Sequence, residues 1–234
     1  MSGSLVSAGM RARVRGLAEP VARGFGRLGL TPNHLTFIGF GIACVAAVAA
    51  AQQEWLAAGL LALFGGVFDL FDGALARATN KVSKLGAFYD SVFDRWGEGV
   101  VYVGIAWGCV ASGFGEGAVL TAAAMTAAVM VSYVRAKSES LGYTPGSRMA
   151  SIGLAPREVR IAILTVGLLI VGLTGHIGPT HWTCPADLLV SCVPADWFVA
   201  GDIVLGGTLG LIAILATITT IQRILHVRAQ ARGG

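Results

Sequence analysis

The chain has 234 residues, of which 55% are apolar and only 13% charged, with a net charge of +4. Its mean hydropathy is +0.72. A soluble domain of this length carries about 25% charged residues and shorter apolar runs, so a water-soluble globular protein is excluded.

Ahead of the first apolar run, Met10, Val14, Leu17, Val21, Phe25 and Leu28 recur at steps of three and four, with arginines at many of the other positions. That pattern predicts an amphipathic helix lying in the membrane interface, broken or kinked at Pro20; a disordered basic arm is the alternative. Thr31-Pro32-Asn33 then makes a turn that caps the first span. Six runs approach the roughly 20 apolar residues that cross a bilayer: residues 34–52, 55–76, 88–112, 117–137, 159–177 and 197–222. A basic segment precedes the first and no small-residue cleavage site stands out, so it is not a cleaved signal. The expected fold is an all-α integral membrane protein with six transmembrane helices plus an N-terminal amphipathic interfacial helix. Residues 1–33 form a cytoplasmic juxtamembrane segment, 34–225 the membrane domain and 226–234 a cytoplasmic tail.

Spans 2 and 3 are joined by the short segment Thr79 to Leu85, which makes them antiparallel neighbours. Span 4 ends in Tyr133-Val134-Arg135-Ala136-Lys137. The polar stretch Ser138 to Pro156 follows, with Gly142, Pro145, Gly146 and Gly153, a loop or short surface helix. Gly206 and Gly210 give span 6 a small-residue face for close helix packing. Cys44 and Cys109 lie inside spans. Cys184 and Cys192 share the long loop Gly178–Asp196, where they pair if that side is oxidising and otherwise stay as thiols.

Lys and Arg fix the orientation. They precede span 1, follow spans 2, 4 and 6, and are absent from Gln52–Glu54, Gly113–Gly117 and Gly178–Asp196. Both termini are therefore expected in the cytoplasm of a multi-pass plasma-membrane or inner-membrane protein. The basic face suits anionic lipid headgroups or anionic substrates, and no nucleic-acid partner is expected.

Within this apolar chain lies FDLFDGALARATNKVSKLGAFYDSVFD, residues 68–94, with four aspartates. Asp69 and Asp72 are three apart and share a helix face; Asp90 and Asp94 are four apart and share another. At about 1.5 Å per residue both pairs lie at similar depth, about a third of the way into the bilayer. Four carboxylates meeting there repel strongly unless cations join them. Hard oxygen ligands suit Mg²⁺, Mn²⁺ or Ca²⁺, and two metals roughly 3.5–4 Å apart suit phosphoryl chemistry. Two other readings compete: simple pairing with Arg77 or Arg95, or a proton or cation pathway. The pathway lacks acids along the outer half of the spans. Glu98 continues the Asp90/Asp94 face, either supporting the site or packing helices.

Asp69-x-x-Asp72-Gly73-x-x-Ala76-Arg77, eight residues, then Gly86-x-x-x-Asp90-x-x-x-Asp94 resembles the signature of the CDP-alcohol phosphotransferases. The resemblance implies two divalent cations, Mg²⁺ or Mn²⁺, held by Asp69, Asp72, Asp90 and Asp94, with Asp94 as the general base. It implies that Asp69, Gly73, Ala76, Arg77 and Gly86 bind the CDP moiety of CDP-diacylglycerol, and that the protein is a homodimer.

Arg135, Arg157 and Arg223 stand at helix ends on the same side as the aspartates, where they form a second anion site or merely anchor the helices. Ser132 to Lys137, Arg157-x-x-Arg160 and Ile221-Gln222-Arg223 resemble their counterparts in phosphatidylinositol-phosphate synthases. That implies inositol 1-phosphate as acceptor, its phosphate held by the three arginines; glycerol 3-phosphate is the close alternative and a divalent cation transporter the distant one.

Overall fold

The computed structural model describes residues 20–22, 24–79, 82–143, 152–174, 177, 182–183, 193–194 and 200–233. Six long helices carry the fold: α1 (Pro32–Ala51), α2 (Trp55–Ala78), α3 (Lys84–Ala111), α4 (Gly115–Ser140), α5 (Arg157–Thr174) and α6 (Ala200–Gly233). α1 begins at a capping box in which the Thr31 hydroxyl accepts from the His34 amide and the His34 ring accepts from the Thr31 amide, with Pro32 just inside. Both exchanges satisfy amides the first turn leaves free. α3 begins at Ser83, whose hydroxyl accepts from the Gly86 amide at 2.9 Å. Glycines with positive φ follow the ends of α3 (Gly113) and α4 (Gly142). α6 runs on through the point where a tail is expected. A two-residue antiparallel ladder, Trp182–Thr183 with Val193–Pro194, is the one departure from all-helical structure among the described residues. Cys184 and Cys192 lie outside the described residues.

Most of the expected N-terminal amphipathic helix, including Met10, Val14 and Leu17, also lies outside them. Residues 20–22 and 24–27 are helical; Ala22 is buried and Phe25 meets the rings of Phe68 and Phe71.

The helices close a ring in the order α1, α2, α5, α6, α4, α3, each packed on its two neighbours. This corrects the expectation that spans 2 and 3 are packed neighbours: α1 stands between them. The reason is helix approach. An added Cβ on Gly104 would lie 2.1 Å from the Ala47 carbonyl oxygen, and one on Gly108 would lie 2.2 Å from that of Ala50. Only glycines let α1 and α3 come so close. Of the two glycines expected to form a packing face, a Cβ on Gly206 would lie 3.4 Å from Phe114 and 3.6 Å from Leu120, ordinary side-chain contact, while around Gly210 nothing comes within 4 Å among the described residues.

One end of the ring is filled by apolar side chains, among them Ala46, Trp55, Ile105, Leu168, Leu205 and Leu209. The other end collects charged residues from every helix but α1. Large apolar side chains such as Val45, Leu60, Phe64, Trp107, Leu173 and Ile214 point outward and exposed. α1, α2, α4 and α6 are long and apolar enough to cross a membrane. α3 and α5 fall short because of the charges they bring to the site: Asp90, Asp94, Arg95 and Glu98 on one, Arg157, Glu158 and Arg160 on the other.

Candidate active site

Two clefts open at the charged end and meet at Asp90. The first, with a cavity volume of about 340 Å³, lies between the start of α1, the end of α2 and the start of α3. Pro32, Asn33, Thr36, Asp72, Gly73, Ala76, Arg77, Ser83, Gly86 and Asp90 line it. Gly73, Ala76 and Arg77 of α2 and Gly86 of α3 thus line one cleft, while Asp69, expected with them, lines a neighbouring cavity with Asp94 and Arg157. The Arg77 guanidinium folds back over Gly73, its Nη1 only 3.3 Å from where a Cβ would stand. The Thr36 hydroxyl donates to Asp72 Oδ2 at 3.1 Å. Asn33, Thr36 and Ser83 are missed by sequence reasoning: Ser83 caps α3, and Asn33 and Thr36 lie in the first turns of α1, where a small polar residue carries no signal of its own.

The second cleft lies between α3, α4, α5 and α6 and is lined by Asp90, Asp94, Arg95, Ser132, Arg135, Arg157, Arg160 and Arg223. The three arginines predicted from helix ends are therefore together, with Arg95 and Arg160 added. They are not alike. Arg135 pairs with Glu139 at 3.0 Å. Arg223 is only 3% exposed; it donates from Nε to the Ile152 carbonyl at 3.0 Å and from Nη1 to the Val131 carbonyl at 2.7 Å. The Arg95 guanidinium donates to the Ser91 carbonyl one turn back.

Arg157 departs furthest from expectation. Its Nη2 lies 2.7 Å from Asp69 Oδ2 and its Nη1 lies 2.9 Å from Asp94 Oδ2. The ion pairs considered with Arg77 or Arg95 are thus replaced by one made with α5. Four carboxylates meeting at a single point are also not what the structure holds. Among the described residues, no three Asp, Glu, His or Cys side chains gather closely enough to hold a metal ion. Asp72 and Asp90 face the first cleft, while Asp69 and Asp94 are bridged by a guanidinium. The donor set still fits a hard divalent cation, being all carboxylate, and the guanidinium marks a place where a cation sits between two of its members.

One helical turn deeper, Arg160 donates to both carboxylate oxygens of Glu98, at 2.9 and 2.8 Å, and to the Ala155 carbonyl at 3.1 Å. Arg160 is 1% exposed. A bidentate pair so deeply buried orients α5 against α3. Glu98, whose role the sequence left open, thus fastens two helices while also lining a cavity with Asp69, Asp94 and Arg157.

The family model for CDP-alcohol phosphatidyltransferase matches residues 29–219. An archaetidylinositol phosphate synthase of Pyrococcus horikoshii is 37% identical over 160 residues, 68% of this chain and 80% of that one. A phosphatidylinositol phosphate synthase of Cutibacterium acnes is 32% identical over 216 residues, 90% of this chain and 91% of that one. Crystal structures of Mycobacterium tuberculosis phosphatidylinositol phosphate synthase share the fold. The complex with manganese and citrate superposes with a TM-score of 0.71 at 23% identity, covering 90% of this chain and 88% of that one. The complex with CDP-DAG gives 0.70 at 24%, covering 90% and 92%. Signature residues, six-helix ring and sequence match agree, and the chain belongs to the CDP-alcohol phosphatidyltransferase family.

Proposed function

We propose that this enzyme transfers a phosphatidyl group from CDP-diacylglycerol, or its archaeal counterpart, to a hydroxyl of a phosphorylated polyol, with inositol 1-phosphate as acceptor, and releases CMP. The observation that carries the proposal is the sharing of Asp90 by two clefts of different chemistry. One holds the signature glycines and Arg77; the other holds five arginines. A nucleotide diphosphate in the first and a phosphate-bearing alcohol in the second meet at the aspartates.

In this reading the CDP moiety lies along Gly73, Ala76 and Gly86, with Arg77 on its phosphates and Asp69 beside them. Asp69, Asp72, Asp90 and Asp94 hold two divalent cations, Mg²⁺ or Mn²⁺. Those ions supply charge stabilisation for the phosphoryl oxygens as negative charge develops. Asp94 faces the arginine cleft and takes the proton of the acceptor hydroxyl. The new bond joins the acceptor oxygen to the lipid-side phosphorus, and the bond from that phosphorus to the bridging oxygen breaks to release CMP. Arg135, Arg157 and Arg223 surround the acceptor's own phosphate, a charge a neutral alcohol lacks. All six helices span the membrane, with the charged end and both termini in the cytoplasm, and a second copy of the chain completes a homodimer. A cation pathway is disfavoured because apolar side chains fill the far end of the ring.

The test offers CDP-diacylglycerol with inositol 1-phosphate, glycerol 3-phosphate, free inositol or serine in turn, each with Mn²⁺ and with EDTA. CMP release is expected with Mn²⁺ and a phosphorylated acceptor, fastest with inositol 1-phosphate. Equal rates with free inositol or serine, or undiminished rates in EDTA, would refute it.

A further inference from the structure

Arg157 stands on the border of two environments. Its guanidinium touches Asp69 and Asp94, yet it also lines the arginine cleft. Its Nε is buried and has no hydrogen-bond partner among the described residues. Among the described residues the group is thus held by two carboxylates, both of which the function above assigns to divalent cations. A carboxylate shared with a guanidinium is a weaker ligand for a second cation, and the two cations repel each other.

The backbone that carries Arg157 is fixed independently of those contacts. Arg160 locks the same helix turn to Glu98, and the Thr219 hydroxyl accepts from the amides of Leu154 and Ala155 at 3.0 and 2.9 Å. Arg223 holds the Ile152 carbonyl. The long Arg157 side chain can therefore change partners about a fixed Cα without moving α5.

We propose that Arg157 is an exchangeable counter-ion. It holds Asp69 and Asp94 until divalent cations take those carboxylates, and it then turns into the arginine cleft to bind the acceptor's phosphate. Cation loading thereby completes the acceptor site, and the two ligands strengthen each other's binding by the same factor. The inference rests on the metal-dependent transfer proposed above.

The test needs no turnover. Wild-type protein, Arg157→Gln and Arg157→Lys are placed in lipid nanodiscs and titrated with Mn²⁺, the free ion being read from its paramagnetic resonance signal. Inorganic phosphate, at a level that leaves free Mn²⁺ unchanged in buffer, serves as the acceptor probe. Arg157→Gln, relieved of the competing cation, is expected to bind Mn²⁺ about tenfold more tightly than wild type, within the usual range of coupling between sites. Arg157→Lys, which keeps the charge, stays near wild type. Phosphate tightens Mn²⁺ binding severalfold in wild type and leaves Arg157→Gln unchanged. Equal or weaker Mn²⁺ binding by Arg157→Gln, in a protein that melts like wild type, overturns the exchange while leaving the transferase reading intact. Absence of Mn²⁺ binding in all three proteins overturns the metal-dependent reading, and the exchange with it.

Discussion

Asp94 is held by a single ion pair, from Arg157 Nη1 to its Oδ2, and lies one turn from Asp90 on one side and one turn from Glu98 on the other. With Asp90 it lines the arginine cleft. Asp94→Asn keeps the volume and removes both the charge and the basicity. CMP release should fall by at least about 10²-fold, the usual contribution of a positioned general base, while far-UV circular dichroism stays that of the wild type. A variant with full activity would remove Asp94 from proton transfer. The acids themselves were legible in the sequence, because carboxylates at steps of three and four within an apolar run are too costly to keep there without a cation or ligand to meet them. The partner of Asp69 and Asp94 was not. Arg157 lies more than sixty residues away, and at the start of an apolar run it reads as part of an anion site or as membrane anchoring, not as the partner of these acids.

The segment that leads into α5 shows how one element sets the site. Gly153 has φ +116°, and an added Cβ would lie 2.1 Å from Thr219 Cγ2, so the segment lies directly on α6. Thr219, fully buried, also donates to the Leu215 carbonyl at 2.8 Å. Thr219→Val preserves the shape and leaves the amides of Leu154 and Ala155 without their acceptor. Orphaning a buried amide costs about 1–3 kcal/mol, so the melting temperature should drop. The displaced start of α5 should raise the acceptor KM more than the CDP-lipid KM, because the first cleft draws nothing from α5. Equal effects on both would mean that the segment supports the bundle at large and not the acceptor site. The sequence located this segment as a glycine-containing loop or short surface helix, from composition alone. It could not locate its anchor, since a threonine inside an apolar span looks like any other small helical residue.

On the scale of the whole molecule, the number and placement of helices followed from apolar run length, a property local to each segment. Their lateral order did not, because it depends on which surfaces fit. α1 enters between α2 and α3 through the contacts of Gly104 and Gly108, and nothing in the short 79–85 connection announces this. The same ring fixes the polarity of the molecule. Successive helices run in opposite directions, so the end of α2, the start of α3, the end of α4, the start of α5 and the end of α6 share one end, with Arg77, Arg95, Arg135, Arg157 and Arg223. The start of α1 lies there as well, lining the first cleft. Positive charge is retained on the inner side of a bilayer, so the orientation proposed above predicts that both clefts face the cytoplasm. This can be tested in cells with the four native cysteines replaced by serine and single cysteines introduced at three exposed positions, Leu28→Cys, Gln52→Cys and Arg228→Cys. A membrane-impermeant maleimide applied to intact cells should label position 52 alone, and positions 28 and 228 only after permeabilisation. The reverse pattern would put both clefts on the outer face. Labelling of 28 and 228 from opposite sides would show that an odd number of helices crosses, and that one of the two charged helices, α3 or α5, lies short of the far surface.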